Sequence, residues 1–255
     1  MICRIGSVRY LNARPLIYGI EKQVTLCEPA ELADRLYRGQ FDAGLVPIAE
    51  VLQHDQYDVM DGIAIAARGT VQSVFLMHRE PIERLRRVAV DPASRTSAWL
   101  VRVILQYGYN LAPEFYPWPE GTTLRDHEAI MLIGDQAIRH FIRPPDAGVG
   151  VLDLGAAWMD LTGLPFAFAV WAVRRGTAVE GLGTLLRGAK ADGMAHLEQI
   201  VQAATEAPPE FLRAYYTRHV WYELDEGEKR GIRRFQQYLK EMGLIEACHD
   251  LHYIS

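Results

Sequence analysis

Three short segments of this chain gather hydroxyl, amide and charged side chains where an apolar strand-like run gives way to a helix-like one. The first is Ser7-Val8-Arg9-Tyr10-Leu11-Asn12-Ala13-Arg14-Pro15. It offers a hydroxyl, two guanidinium groups, a phenol and an amide at a helix start, a set suited to holding an anion and orienting its reacting groups. Asn12 is equally open to reading as a plain helix cap. The second is Asp91-Pro92-Ala93-Ser94-Arg95-Thr96-Ser97, where short hydroxyl side chains meet the unpaired N–H groups and positive end of a helix. That combination makes a carboxylate or phosphate site. Arg95 adds a planar fork able to grip a carboxylate through two bonds. A simple cap beside a solvent-facing arginine is the alternative. The third is Gly134-Asp135-Gln136-Ala137, in which Asp135 could position a substrate hydroxyl or a water, act as a base, or merely cap its helix. Asp153, before Leu154-Gly155, carries the same ambiguity, and Glu50 in a short helix after Pro47 reads as part of a solvated face.

In open α/β sheets such strand-to-helix turns face the ligand crevice. The elements that would position them alternate along the chain. Strands are expected at Ile2–Ser7, Val24–Cys27, Ala43–Val46, Ile63–Ala67 and Ser73–Met77. A second block has them at 88–90, Glu128–Ile133, Ala147–Val151 and Phe166–Val173. Helices opened by proline are expected at Pro15–Ile20 and from Pro29 to a stop at Gly39. Others run from Pro47 to about Leu52, over Ser97–Tyr107, from Asp135 to about Phe141, and over Leu154–Thr162. After Thr177 the chain reads as amphipathic helices at Ala189–Ala204, Pro209–His219 and Asp225–Met242. The last places Ile232, Phe235, Leu239 and Met242 on one face.

This order predicts an α/β protein of two lobes, each a mostly parallel sheet flanked by helices, with the ligand cleft between them. Crossings near residues 80–88 and 165–175 would put 1–86 and 172–255 in a discontinuous first lobe with the C-terminal helices, and 87–171 in the second.

Composition narrows the function classes. A formal charge of −5 gives no basic footprint for nucleic acid. An anionic ligand therefore needs a local positive site. No apolar run approaches the roughly 20 residues of a membrane span. The sequence opens directly on a strand without a leader pattern, and its three cysteines are scattered, which predicts a cytoplasmic protein. The phosphate-binding glycine loops and the nucleophile elbow are absent. The eight histidines are dispersed, with only His249 and His252 close together, so neither metal nor cofactor is expected. Nothing in the sequence sets an oligomeric state.

The strings Ile5–Leu16, Gly39–Ile48, Val88–Ser97, Ile133–Ala137, Asp153–Trp158, Thr162–Trp171 and Tyr238–Leu244 together resemble, in order, the chorismate dehydratase family of the futalosine route to menaquinone. The resemblance implies a type II periplasmic-binding-protein-like fold and a lyase that converts the dicarboxylate chorismate to 3-[(1-carboxyvinyl)oxy]benzoate and water. It implies that Asn12 stands at the family's active-site asparagine and is the catalytic residue. Candidate substrate-binding residues are then Ser7, Arg9, Tyr10, Ser94, Arg95, Thr96, Ser97 and Asp135. Pro47 and Ile48 stand where the related fold brings a loop to its ligand, and Ser73 ends a segment, 69–73, placed to serve the cleft or a hinge. Two carboxylates need two anion pockets, expected at the Ser94–Ser97 helix start and near Ser7–Arg14. Two other outcomes remain open. One is the sister enzyme acting on cyclic dehypoxanthine futalosine, which uses a histidine where this chain has Gly134-Asp135. The other is a cytoplasmic small-carboxylate binder of the same fold.

Overall fold

The computed structural model describes residues 3–143, 148–177 and 180–255. Strands β1 (Ile5–Val8), β2 (Val24–Cys27), β3 (Ala43–Pro47) and β4 (Tyr57–Ala67) begin a first sheet. Strands β5 (Val74–His78), β6 (Arg87–Val90), β7 (Glu114–Pro117), β8 (Ala129–Ile133) and β9 (Gly150–Asp153) form a second, and β10 (Phe166–Arg174) and β11 (His252–Ile254) complete the first. The hydrogen-bonded orders are β11-β4-β10-β3-β1-β2 and β7-β6-β8-β5-β9. Helices α1 (Pro29–Tyr37), α2 (Ile48–Gln53), α3 (Thr96–Val103), α4 (Gly134–Phe141) and α5 (Leu154–Thr162) follow strands β2, β3, β6, β8 and β9. The C-terminal segment adds α6 (Leu182–Ala195), α7 (Leu197–Ala203), α8 (Pro209–Ala214) and α9 (Glu226–Glu241).

The two-lobed α/β plan read from the sequence is the one observed, with corrections. The sheets are mixed rather than mostly parallel. β10 runs antiparallel to β3 and β4, and β5 antiparallel to β8 and β9. These two strands are the ones the chain enters on crossing between lobes, so no helical crossover within one sheet forces them parallel. The crossings also fall earlier than expected, at 68–73 and 163–165, so β5 belongs to the second sheet and all of β10 to the first. The first crossing was expected near 80–88, with 69–73 given only as a segment serving the cleft or a hinge. Instead Gly69 (φ +127°) and Gln72 (φ +59°) carry the chain across, and the Asp153 carboxylate holds the Val71 and Gln72 N–H groups at 2.8–3.1 Å.

Edge strands β7 and β11 escaped the sequence pattern. β7 is the run Glu-Phe-Tyr-Pro, whose charged and proline ends suit an edge but weaken any alternation. The helix expected at Pro15–Ile20 is a 3-10 turn, Leu11–Leu16, with Pro15 inside it. The expected helix at Ala189–Ala204 is two, broken at His196 and beginning earlier, at Leu182. Residue 147, the expected start of β9, lies outside the described residues.

The C-terminal helix α9 welds the lobe junction. Its start is a capping box in which Asp225 and Glu228 satisfy each other's N–H groups. Phe235 of α9 packs edge-on to Trp158 of α5 at 5.8 Å and to Phe166 of β10 at 5.0 Å. Gly231 allows that closeness, since a Cβ there would stand 2.0 Å from the Pro165 carbonyl oxygen.

Candidate functional site

Between the sheets lies a cleft lined mostly by apolar side chains with a few polar groups, the usual make-up of a small-molecule site. Its walls come from the carboxyl ends of β1, β3 and β8, from the crossing segment at Val71 and Ser73, from Phe168 and Ala169 of β10, and from the starts of α3 and α4. Val8, Leu45, Ile65, Val71 and Phe168 make most of the surface apolar. The polar side chains on it are Tyr10, Asn12, Ser73, Ser94, Arg95, Thr96 and Ser97. No Asp, Glu, His or Lys is among the described residues that line it.

Asn12 sits inside the 3-10 turn and does not cap it. Its Oδ1 is buried and has no hydrogen-bond partner in the protein. The turn around it is held from three directions. Ala13 N–H donates to Tyr10 O at 3.0 Å, the Tyr216 hydroxyl donates to Leu11 O at 3.1 Å, and Leu11 N–H donates to Asp135 Oδ1 at 2.9 Å. Arg14 pairs with Glu206 away from the cleft. Tyr10 lies against Gly134, where φ is +59° and a Cβ would stand 3.0 Å from the ring. Only glycine lets the two lobes meet that closely. Burial and the neighbouring Glu28 push the Tyr10 phenol upward, so it stays a neutral donor.

Two further members of the anion site expected near Ser7–Arg14 also lie off the cleft. Ser7 is fully buried off the cleft, its hydroxyl donating to Val8 O at 3.3 Å. Arg9 points to the surface, where it meets Glu28 at 3.3 Å. Strand alternation sends Val8 into the cleft, so neighbours on either side of it turn away.

On the second lobe the start of α3 faces the cleft as expected, through Ser94, Arg95, Thr96 and Ser97. Its first N–H groups have no intrahelical acceptor, so they and the helix dipole favour an anion there. The Arg95 guanidinium, however, is already engaged by the first lobe. It donates to Glu50 Oε2 at 2.9 Å and to Asp34 Oδ1 at 2.6 Å. Thr96 Oγ1 accepts from Ala49 N–H at 3.1 Å across the same gap. Glu50 is not on a solvated face: it is fully buried and also accepts from the Tyr57 hydroxyl at 2.8 Å. A carboxylate without water needs such partners.

Asp135 does not line the cleft either. It spends its carboxylate on Leu11 N–H, and burial holds its pKa above the ordinary carboxylate value. Asp153 is the cap of α5, and the crossing segment shares it. Pro47 lines the cleft, whereas Ile48 is wholly buried in the core behind it. His249 and His252 bond separately, to Val51 O and to Asp58. Among the described residues no three His, Cys, Asp or Glu side chains gather as a metal site, and no helix is long and apolar enough to cross a membrane.

The sequence reading missed Tyr215, whose hydroxyl donates to Ser73 Oγ at 2.9 Å below the cleft. Both side chains are fully buried. The only signal available was general: a buried tyrosine hydroxyl finds a partner.

Comparison with known proteins adds to this geometry. The chain is 29% identical over 92% of its length to the chorismate dehydratase of Thermus thermophilus, covering 94% of that protein. It is 24% identical over 94% of its length to the chorismate dehydratase of Campylobacter jejuni, covering 98% of it. Among solved structures, a protein of Archaeoglobus fulgidus superposes with a TM-score of 0.75 at 15% identity, covering 95% of this chain and 98% of that one. The periplasmic aliphatic sulphonate binding protein of Escherichia coli gives 0.58 at 15% identity, covering 99% and 93%. These structural likenesses place the fold among the periplasmic-binding-protein-like folds. A model of the family described as menaquinone biosynthesis matches residues 3–241, and the chain belongs to that family.

Proposed function

We propose that this protein is a chorismate dehydratase, a carbon–oxygen lyase converting chorismate to 3-[(1-carboxyvinyl)oxy]benzoate and water. The observation that carries the reading, beside the two relatives of that name, is the cleft itself. It pairs a helix start for an anion with an asparagine whose buried acceptor is unused, and the described residues that line it offer no carboxylate, imidazole or amine as a base.

Such a cleft suits an elimination in which the substrate supplies its own base. The proton lost is on the ring carbon bearing the enolpyruvyl ether, conjugated through a ring alkene with the ring carboxylate. Its removal spreads negative charge onto that carboxylate. Expulsion of the neighbouring hydroxyl as hydroxide makes the ring aromatic, and the proton and hydroxide leave together as water. The side-chain carboxylate of chorismate is the base within reach. The protein's part is to hold the ring carboxylate at the N–H groups and hydroxyls of Ser94–Ser97, and to orient the reacting edge with Asn12. The apolar walls keep water from the developing charge and strengthen each of these contacts.

Purified protein incubated with chorismate should release a product lighter by one water, with an aromatic spectrum and its enolpyruvyl group intact. Unchanged chorismate would end this assignment. Asn12→Ala should lower kcat by about 100-fold or more, with KM changed far less. Unaltered kcat in that variant would remove Asn12 from the reaction.

A further inference from the structure

The hydroxyl of Tyr215 and the hydroxyl of Ser73 lie 2.9 Å apart, and neither side chain is exposed. Ser73 stands on the cleft wall at the end of the crossing segment, while Tyr215 lies behind it, in the C-terminal helical layer. The direction of this bond decides what Ser73 can do. A phenol is a stronger donor and a poorer acceptor than an alcohol, so Tyr215 gives its proton to Ser73 Oγ. Burial pushes the phenol far above its ordinary range, so Tyr215 keeps that proton to give. No other side chain or carbonyl among the described residues takes the Ser73 proton. The Ser73 backbone carbonyl is already used, by Gly134 N–H at 2.8 Å.

We propose that Tyr215 is a positioning residue for the reaction: by donating to Ser73 Oγ it leaves the Ser73 proton directed into the cleft as a hydrogen-bond donor to a substrate oxygen. The role rests on the cleft being the chorismate site. It also explains why the crossing segment is held so firmly. Ser73 follows directly on Gln72, whose left-handed backbone and whose bond to Asp153 are both fixed. The donor lies in the same cleft as the unpartnered Asn12 Oδ1. Together the two present one donor and one acceptor to the substrate, neither of them charged.

The test is a double-mutant cycle on chorismate turnover with Tyr215→Phe, Ser73→Ala and the pair, each checked by thermal melting. Tyr215→Phe should lower kcat about tenfold with KM within about twofold, the worth of one misdirected neutral hydrogen bond. Ser73→Ala should lose at least as much, and adding Tyr215→Phe to it should cost nothing more. Equal losses from Tyr215→Phe with and without the serine hydroxyl would overturn the positioning role. So would full activity in Ser73→Ala, which decides the matter alone if Tyr215→Phe does not fold. Absence of turnover in the unaltered protein would overturn the functional reading, and this role with it. Active protein whose variants behave independently would overturn only the role.

Discussion

Helices α3 and α4 start at the ends of adjacent strands of the second sheet, and both starts carry polar residues that reach the first lobe, but they join it by different physics. At α3 the contact is a charge pair: Arg95 reaches over to a carboxylate, Glu50, that has no exposure at all, and to half-exposed Asp34. At α4 it is a carboxylate on a backbone N–H, Asp135 on Leu11, beside a glycine pressed to Tyr10. The first start still turns its hydroxyls and N–H groups to the cleft. The second gives its one acid to the neighbouring lobe. A polar helix start at a strand end therefore does not by itself make a ligand site, because what the opposite lobe offers decides where the side chain goes.

Removing each tie separates the two kinds of contact. Arg95→Ala leaves Glu50 buried against Tyr57 with its main counter-charge gone, and should cost about 3 kcal/mol in urea unfolding. Asp135→Ala leaves one N–H without an acceptor and should cost about 1–2 kcal/mol. A loss below about 1 kcal/mol for Arg95→Ala would show that water reaches Glu50, and the contrast between the flanks would fail. Thr96→Val is a smaller probe of the same flank. It deletes only the acceptor for Ala49 N–H and should cost about 1 kcal/mol, while Thr96→Ser should be neutral within about 0.5 kcal/mol.

The sequence showed the elements that position the site better than it showed the partners of the side chains. Pro29 and Gly39 bracket α1 because each has a backbone preference that acts locally. The face of α9 follows from helical spacing alone. Asn12, Tyr10 and the Ser94–Ser97 start became candidates because strand ends and helix starts meet there, and the structure brings them to the cleft. Glu50 was misread because a carboxylate in a short helix is usually solvated, and its arginine is 45 residues away. Ser7, Arg9 and Asp135 carry the right chemistry but point elsewhere, which depends on pleat direction and on the other lobe. The lobe crossing at 68–73 was placed too late, near 80–88, for a similar reason, although 69–73 was marked for the cleft or a hinge. It hangs on Asp153, 82 residues from Val71.

The finest probe of the comparison is the pH dependence of the α4 contact. Asp135 sits above its ordinary value of 3.8, because burial disfavours its charge more than Leu11 N–H and Arg14 favour it. The folded protein therefore keeps the Asp135 proton to higher pH than the unfolded chain does. Below 3.8 the group is neutral in both states and contributes nothing. As pH rises from there through the raised value, the folded state loses a proton it holds more tightly, and the stability linked to this group falls and then levels off. Asp135→Asn removes the titration but keeps an oxygen that can accept from Leu11. The stability of the unaltered protein minus that of this variant, from urea unfolding between about pH 4 and about pH 7, should therefore decline as pH rises. A difference that rose with pH would put Asp135 with Glu206, where burial pushes the carboxyl up but Arg14 and the backbone N–H groups of Glu206 and Thr205 together outweigh it and the net shift is downward. The α4 flank would then be held by charge as well, and its distinction from the Arg95 flank would be one of degree.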